Sequence, residues 1–338
     1  MHVALDALQS ELRATAASAL AELCTTEHLR QAWTAQSAIS RDRWRRLATI
    51  GLTSVTLPDR YGGLGASDVE LVPLLEEVGY VALPEPVADA AVGASLLAEA
   101  APEVAEQWLP GLASGDVVMT ASLPCAPMAE HAADADVAVI VVGDSLHVVD
   151  AQQATWARHP SIDGARRLDT LASALPPPVG LVAAVQTAVD RATLHRAAML
   201  IGLGRRCLDL SVAYARDRHQ FGRPIGSYQA LRHRMADDWT ALEFARPLVW
   251  RAAWSVAHGH RDASLHVSMA KAAAGDAATS AGRTAVQVHG AMGYTFECDV
   301  HLFLKRILAL ASSHGDSHQH RRRIAAELRG RDIERVPR

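Results

Sequence analysis

Apolar residues recur at helical spacing along the first third of the chain. Leu5, Leu8, Leu12, Ala16, Leu20 and Leu23 fall on one face of a helix. Trp44, Leu47 and Ala48 mark the apolar face of another, which stops at Gly51, where a glycine cap is expected. Pro58 and the run Tyr61-Gly62-Gly63-Leu64-Gly65 break the pattern as a loop. A further helix starts at Ser67, with a broad apolar side of Val69, Leu71, Val72, Leu74, Leu75 and Val78. Its Glu76 and Glu77 lie near the C-terminal end, where the helix dipole disfavours acid, and they read as a solvated face. Near Gly115 the period changes. Short apolar runs at 117–119, 137–142 and 146–149, broken by Gly, Pro and Asp, predict a small unit of a few strands. Pro176-Pro177-Pro178 followed by Gly180 marks a turn or hinge. Beyond Val189 the helical period returns. Ala197, Leu200, Ile201, Gly204, Leu208 and Val212 share a face whose small residues allow close helix packing. Later helices are expected over 229–258, 264–288 and 302–311, and there is no internal repeat.

Composition narrows the class. A chain of 338 residues allows two or three units, and 49% hydrophobic with 21% charged residues excludes wholesale disorder. The net charge of -4, with both signs interspersed, argues against a nucleic-acid partner. The one dense basic run, Arg321-Arg322-Arg323, reads as the polar face of a last helix. Cys24, Cys125, Cys207 and Cys298 are scattered with no C-x-x-C pair, which fits reduced thiols better than disulfides or zinc. No signal pattern opens the sequence and no apolar run is long enough for a bilayer, so a soluble cytoplasmic protein with no membrane partner is expected.

Several tempting features have plainer readings. His314 and His318 are four apart, as zinc ligands on one helix face can be, with His320 beside them. No third ligand stands at a suitable spacing, so a polar, flexible or solvent-facing stretch and no metal are expected. Gly202-x-Gly204 lacks the strand and third glycine of a dinucleotide fingerprint and reads as a helix-packing feature. Trp250 and Trp254 are four apart on one helix and read as core or subunit contact.

The loops between the helices carry a resemblance. Arg218-His219-Gln220-Phe221-Gly222-Arg223-Pro224-Ile225, followed by Tyr228-Gln229, resembles the R-x-x-F-G-x-P-I-x-x-x-Q segment of acyl-CoA dehydrogenases. Gln287-Val288-His289-Gly290-Ala291-Met292-Gly293-Tyr294-Thr295-Phe296-Glu297 resembles that family's Q-x-x-G-G-x-G-Y/F-T-x-E. Trp44-x-x-Leu47, Gly51-Leu52, Leu57-Pro58-x-x-Tyr61-Gly62-Gly63-Leu64-Gly65 and Glu76-Glu77-x-Gly79 match its first helical domain, in the right order. The resemblance implies a mainly α fold with a small β domain: an N-terminal helical domain (1–116), a shortened central β domain (117–187) and a C-terminal four-helix bundle (188–332) that builds the oligomer. It also implies FAD at a subunit interface, an acyl-CoA substrate and an electron-transfer flavoprotein as acceptor. The cofactor contacts it implies fall on Arg218, Gln220, Phe221, Gly222, Tyr228, Gln287, Val288, Gly290 and Ala291. Arg218 offers a fixed fork of donors for pyrophosphate, Phe221 a ring for the adenine side, and Gly290 close backbone approach.

The family's chemistry needs an ionised carboxylate within reach of the α-proton of an acyl thioester. One branch carries it in an E-G-T turn, which corresponds to His314-Gly315-Asp316; another carries it at the position of Ala192. Neither is a carboxylate. Asp190 matches a residue that tends to contact the CoA portion. The family's flavin loop, T/N-E-P-x-x-G-S-D, corresponds to Ala121-Ser122-Leu123-Pro124-Cys125-Ala126-Pro127, without the acid or the G-S-D. Trp156 lacks the flanks of the family's W-I/F-T strand.

Three readings follow. The first is the short, base-less subunit of an actinobacterial heteromeric steroid-CoA dehydrogenase, two copies with two of a longer catalytic chain; the stretch from Gly293 to Arg306 resembles that subset. The second is a self-sufficient dehydrogenase with an atypical base, His314 or, more weakly, Asp190. The third is a structural or binding paralogue that has lost flavin chemistry.

Overall fold

The computed structural model describes residues 5–330. The outermost limits of the expected units, 1 and 332, lie outside the described residues. Six helices come first: α1 (Ala7–Leu23), α2 (Thr26–Thr34), α3 (Arg41–Thr49), α4 (Asp68–Tyr80), α5 (Val87–Ala100) and α6 (Pro102–Ser114). Their starts are written in local chemistry. Asp6 with Gln9 and Ser67 with Glu70 close capping boxes on α1 and α4, satisfying N–H groups that have no partner inside the helix. α6 opens on Pro102 and ends at Gly115, whose φ of +82° is the left-handed turn that releases the chain into the β segment.

That segment holds β1 (Met119–Ser122), β2 (Ala129–Glu130), β3 (Val137–Val142), β4 (Ser145–Asp150), β5 (Trp156–His159), β6 (Leu168–Leu171) and β7 (Gly180–Leu181). One sheet has the order β1-β3-β4-β7 and the other β2-β6-β5. β1 runs parallel to β3, and β3 pairs antiparallel with β4 across a tight turn, Val142 facing Ser145. The apolar runs at 137–142 and 146–149 correspond to β3 and β4, whereas the run at 117–119 meets β1 only at Met119. The others are two to four residues long, too short to show an alternating pattern. Arginines tie this segment to its surroundings: Arg306 pairs with Asp163 and reaches the Leu83 carbonyl at 2.9 Å, and Arg167 donates to the carbonyls of Ala32 (3.1 Å) and Ala35 (2.8 Å).

The helical remainder comprises α7 (Val185–Asp217), the ribbon β8 (His219–Gln220) and β9 (Arg223–Pro224), α8 (Gln229–Ala257), α9 (Ala263–His289), α10 (Val300–Ser312) and α11 (Ser317–Gly330). α7 is the central element, packed on α9, α8, α10 and, across the molecule, α4. Its glycines explain that crossing. A Cβ on Gly202 would lie 1.8 Å from the Glu76 carbonyl oxygen, and one on Gly79 would lie 2.1 Å from that of Met199, so α4 and α7 meet backbone to backbone. Gly204 makes room for the Leu242 side chain of α8 and for the Ala278 backbone of α9. Among the described residues, no helix is long and apolar enough to cross a membrane.

Two expectations are overturned. Glu76 and Glu77 are not a solvated face: they are 0% and 5% exposed. Four cationic or polar groups from other helices converge on them. Glu76 accepts from Trp250 Nε1 at 2.9 Å and pairs with Arg246 at 3.3 Å, while Glu77 pairs with Arg13 at 2.7 Å and Arg205 at 2.9 Å. Burial still pushes the Glu76 carboxyl up, and Arg246 opposes this. Nor are His314 and His320 solvent-facing; both are buried, and only His318 of the three is exposed. The Arg321-Arg322-Arg323 run does lie on the exposed side of α11.

Because the Gly202 contact involves backbone on both sides, Gly202→Ala must push α4 and α7 apart. A loss of about 3 kcal/mol of unfolding free energy is expected from overpacking, read as a lower urea midpoint. Gly143→Ala, at an open hairpin turn with no atom within 4 Å, should cost only its φ of +63°, about 1 kcal/mol.

Candidate functional site: the two ends of one long helix

The cofactor-contact and base positions singled out from the sequence fall at two separate places along α7. Arg218 is the cap residue at its C-terminus and is exposed. Its N–H donates to Tyr214 at 2.9 Å, and its carbonyl accepts from Ile225 at 2.8 Å, which closes the ribbon back on the helix. At the ribbon's tip Phe221 is 93% exposed with φ +54°, followed by Gly222 at +81°. The Tyr228 hydroxyl donates to the Gln220 carbonyl at 3.0 Å, and the Arg223 guanidinium stacks 4.1 Å over the Tyr228 ring. The second motif meets the first at this end. Gln287, Gly290 and Ala291 are exposed at the C-terminus of α9, while Val288 is buried beneath them. Gly290 has φ +59° and open space around the position of a Cβ. Together these residues present a guanidinium, an unpacked ring and an unobstructed glycine turn on one surface. That donor set fits a dinucleotide: charge for phosphate, a ring for a base, and close backbone approach.

The positions where a base would stand lie towards the other end. Ala192 is buried and is 26 residues from Arg218, about 39 Å along the helix axis. Arg196, one turn on and on the same face, is 2% exposed and ion-paired to Asp89 at 2.5 Å and Glu130 at 2.9 Å. Glu130 also pairs with Arg166 at 2.8 Å. Burial opposes charge at Asp89, Glu130 and Arg196, and it leaves the Asp89 carboxyl raised. Even so, Arg166 and Arg196 hold the Glu130 carboxyl far below the usual range, and Asp89 and Glu130 hold the Arg196 guanidinium above its own.

His314 belongs to the same neighbourhood. It sits in the turn between α10 and α11 with φ +56° and is 9% exposed. Its Nδ1 has no hydrogen-bond partner among the described residues. Burial, then Arg196, drives its pKa well below the ordinary imidazole value, so it is a feeble proton acceptor. The turn is pinned by Lys271, whose ammonium donates to the carbonyls of Ala311 and Gly315, both at 2.9 Å, and by His320 Nε2 on the His314 carbonyl at 3.1 Å. Burial, and then Arg196, lowers Lys271 to about 7.

Asp190 is 6% exposed and accepts from Ser264 at 2.5 Å and Gln186 at 2.9 Å; burial raises its pKa. It lines a cavity of 420 Å³ with Gln186, Ser264, Ser268 and Arg323. Ser122, Leu123, Pro124, Pro127 and Trp156, the remnants of the flavin loop and strand, line a separate, mainly apolar cavity of 470 Å³ in the β segment. Among the described residues, no cluster of three or more His, Cys, Asp or Glu could hold a metal ion.

The sequence reading missed the Asp89–Arg196–Glu130–Arg166 chain. A signal existed at one member only: Arg196 interrupts the apolar face of α7, whereas Glu130 lies in a two-residue strand with no pattern around it.

Comparison with known proteins is consistent along the chain. The acyl-CoA dehydrogenase N-terminal domain matches residues 6–116, and the acyl-CoA dehydrogenase C-terminal domain matches 180–329. The acyl-CoA dehydrogenase IpdE2 of Mycolicibacterium smegmatis is 32% identical over 94% of this chain and 97% of its own. The ChsE4-ChsE5 complex of Mycobacterium tuberculosis contains a chain that superposes with a TM-score of 0.87 at 25% identity, over 98% of this chain and 100% of that one. A chain of the Tcur3481-Tcur3483 steroid ACAD, as its G363A variant, superposes with a TM-score of 0.88 at 24% identity, over 95% and 97%.

His131, beside Glu130, is fully buried in a left-handed conformation and lacks a hydrogen-bond partner among the described residues. Burial lowers its pKa from 6.5 to about 4. The folded state therefore prefers the neutral ring, and the stability this contributes is fully present above pH 6.5 and lost as pH falls towards 4. His131→Asn, which tolerates the same backbone, should flatten that decline in urea midpoints measured between pH 7 and 4. His320, also lowered to about 4 by burial, keeps part of the slope.

Proposed function

The chain belongs to the acyl-CoA dehydrogenase family, and from that premise we propose that it is one subunit of a flavin-dependent dehydrogenase built from two kinds of chain. A longer homologous partner holds the flavin ring and supplies the carboxylate that removes the α-proton. This chain completes the partner's nucleotide site, with 1–116, 117–187 and 188–332 as its structural units. The observation that carries this reading is the contrast between the two ends of α7. Around Ala192 and His314 the interior is taken up by Asp89, Arg196, Glu130 and Arg166, paired with one another. Around Arg218 the surface is open and carries an unpacked Phe221. The roughly 39 Å between them is too far for one bound dinucleotide to be gripped by Arg218 and to face Ala192 of the same chain.

FAD, when bound, supplies the acceptor for the β-hydride. This chain's part is to hold and orient it: Arg218 and Gln287 towards phosphate and ribose, Phe221 towards the adenine, and Gly222, Gly290 and Ala291 by close approach. Gln220, Tyr228 and Val288 support the two loops from behind. The relation to a two-chain complex supports the heteromer. A bulky steroid-derived acyl-CoA rests on the resemblance of residues 293–306, with electron-transfer flavoprotein as acceptor in the cytoplasm. The self-sufficient alternative, with His314 as base, is disfavoured by the burial that makes its imidazole hard to protonate. For Asp190, the hydrogen bonds to Ser264 and Gln186 fit a substrate-side or structural role.

Two experiments test the reading. The chain purified alone should be colourless and inactive, and should turn yellow and active only after co-expression with a longer family member. Flavin and acyl-CoA oxidation in the chain alone would overturn it. In the assembled complex, Arg218→Ala should weaken FAD retention about ten- to hundredfold without unfolding, as expected for losing a charge-assisted contact to phosphate. His314→Ala should leave turnover within about a factor of three, whereas a loss of several orders of magnitude would favour the alternative.

A further inference from the structure

Beneath the two segments of the nucleotide grip lies a cluster apart from the main hydrophobic core, whose Val286 touches only the far side of the second segment at Gly293. Leu208, Ala215, Ile225, Met235 and Val288 form a separate cluster under them, with Tyr214 and Tyr228 packed against it. This cluster joins the C-terminus of α7, the turn before α8, the start of α8 and the C-terminus of α9. Within it, Tyr214 and His289 stack face to face, ring centroids 4.3 Å apart and planes 25° from parallel. Each ring stands close to a functional turn. Tyr214 is one helical turn before Arg218, and its carbonyl takes the Arg218 N–H at 2.9 Å. His289 immediately precedes Gly290, is 8% exposed, and is fixed by its Nδ1 on the Ala285 carbonyl at 2.7 Å. A Cβ on Gly293 would lie 3.2 Å from the Cβ of His289, so the turn folds tightly around this side chain.

We propose that Tyr214 and His289 are positioning residues, whose stacked rings set the gap between the Arg218–Gly222 loop and the Gly290 turn and hold the two halves of the grip in register. The inference rests on the cofactor reading above for what is gripped, but not for the mechanical coupling of the two segments. The grip sits on a small cluster, so a single aromatic contact is a large share of what aligns it. Such a pair contributes beyond its buried area because the rings have a preferred relative geometry. A residue that merely filled the core would, when removed, loosen the whole bundle. A positioning pair loosens the two segments it joins.

The test is hydrogen exchange on the full chain, followed by FAD titration of the chain assembled with its longer partner, read by flavin fluorescence. Tyr214→Leu should speed exchange over 218–223 and 287–294 by about three- to tenfold and weaken FAD binding by a similar factor, with α4 and the main core unchanged. Tyr214→Phe, which keeps the ring, should restore both. If Tyr214→Leu does not fold, His289→Leu with His289→Phe as its rescue makes the same comparison. Unchanged exchange in the two segments, or a uniform increase along the chain, overturns the proposal. Faster exchange in both segments with unaltered FAD affinity supports the coupling and overturns the cofactor reading.

Discussion

Everything in this molecule is arranged around the direct backbone contact between α4 and α7. Two glycines, Gly79 and Gly202, remove the side chains that would otherwise separate the helices. That approach draws Glu76 and Glu77 into the interior, where Arg13, Arg205, Arg246 and Trp250 must meet them. It also fixes α7 as a rod whose middle is buried and whose two ends are presented in different surroundings. A rod held this firmly cannot adjust one end to suit the other, so the chemistry of each end is set by its own neighbours.

At one end those neighbours are charges. Four paired ionic side chains, largely removed from water, cost desolvation that their mutual attraction offsets only with close geometry, and loss of any single member would strand its partners. Such a group fills space as an apolar plug would, but it also imposes fixed partners on α5, α7, β2 and the loop before β6. Burial lowers the basicity of His314 most, and Arg196 of this group adds to it while Glu130 opposes it. At the other end there is little to bury, and glycine turns and an open ring remain available to another molecule.

Much of this was legible in the sequence, and the rest was hidden for physical reasons. Helical periods and caps such as Ser67 and Gly51 act locally, so the early helices could be placed from their own residues. The ordered loop motifs pointed to the fold, and the glycines of α7 to close packing. What stayed hidden depended on distant partners. Glu76 and Glu77 look solvated until arginines from three other helices are placed around them, and His320 looks exposed until Ser268 comes to its ring at 3.2 Å. Strands of two residues leave no period to read. The Tyr214–His289 stack spans 75 residues of sequence, and nothing in either stretch announces the other.

The ribbon tip has an evolutionary corollary. A phenylalanine held at φ +54° with its ring 93% in solvent is costly to the isolated chain twice over, in backbone strain and in exposed apolar area. Asparagine or glycine there would suit the free molecule better. A screen that rewards only expression or heat resistance of this chain by itself would therefore drift away from phenylalanine at 221, and would lose the exposed ring that the proposed nucleotide grip uses.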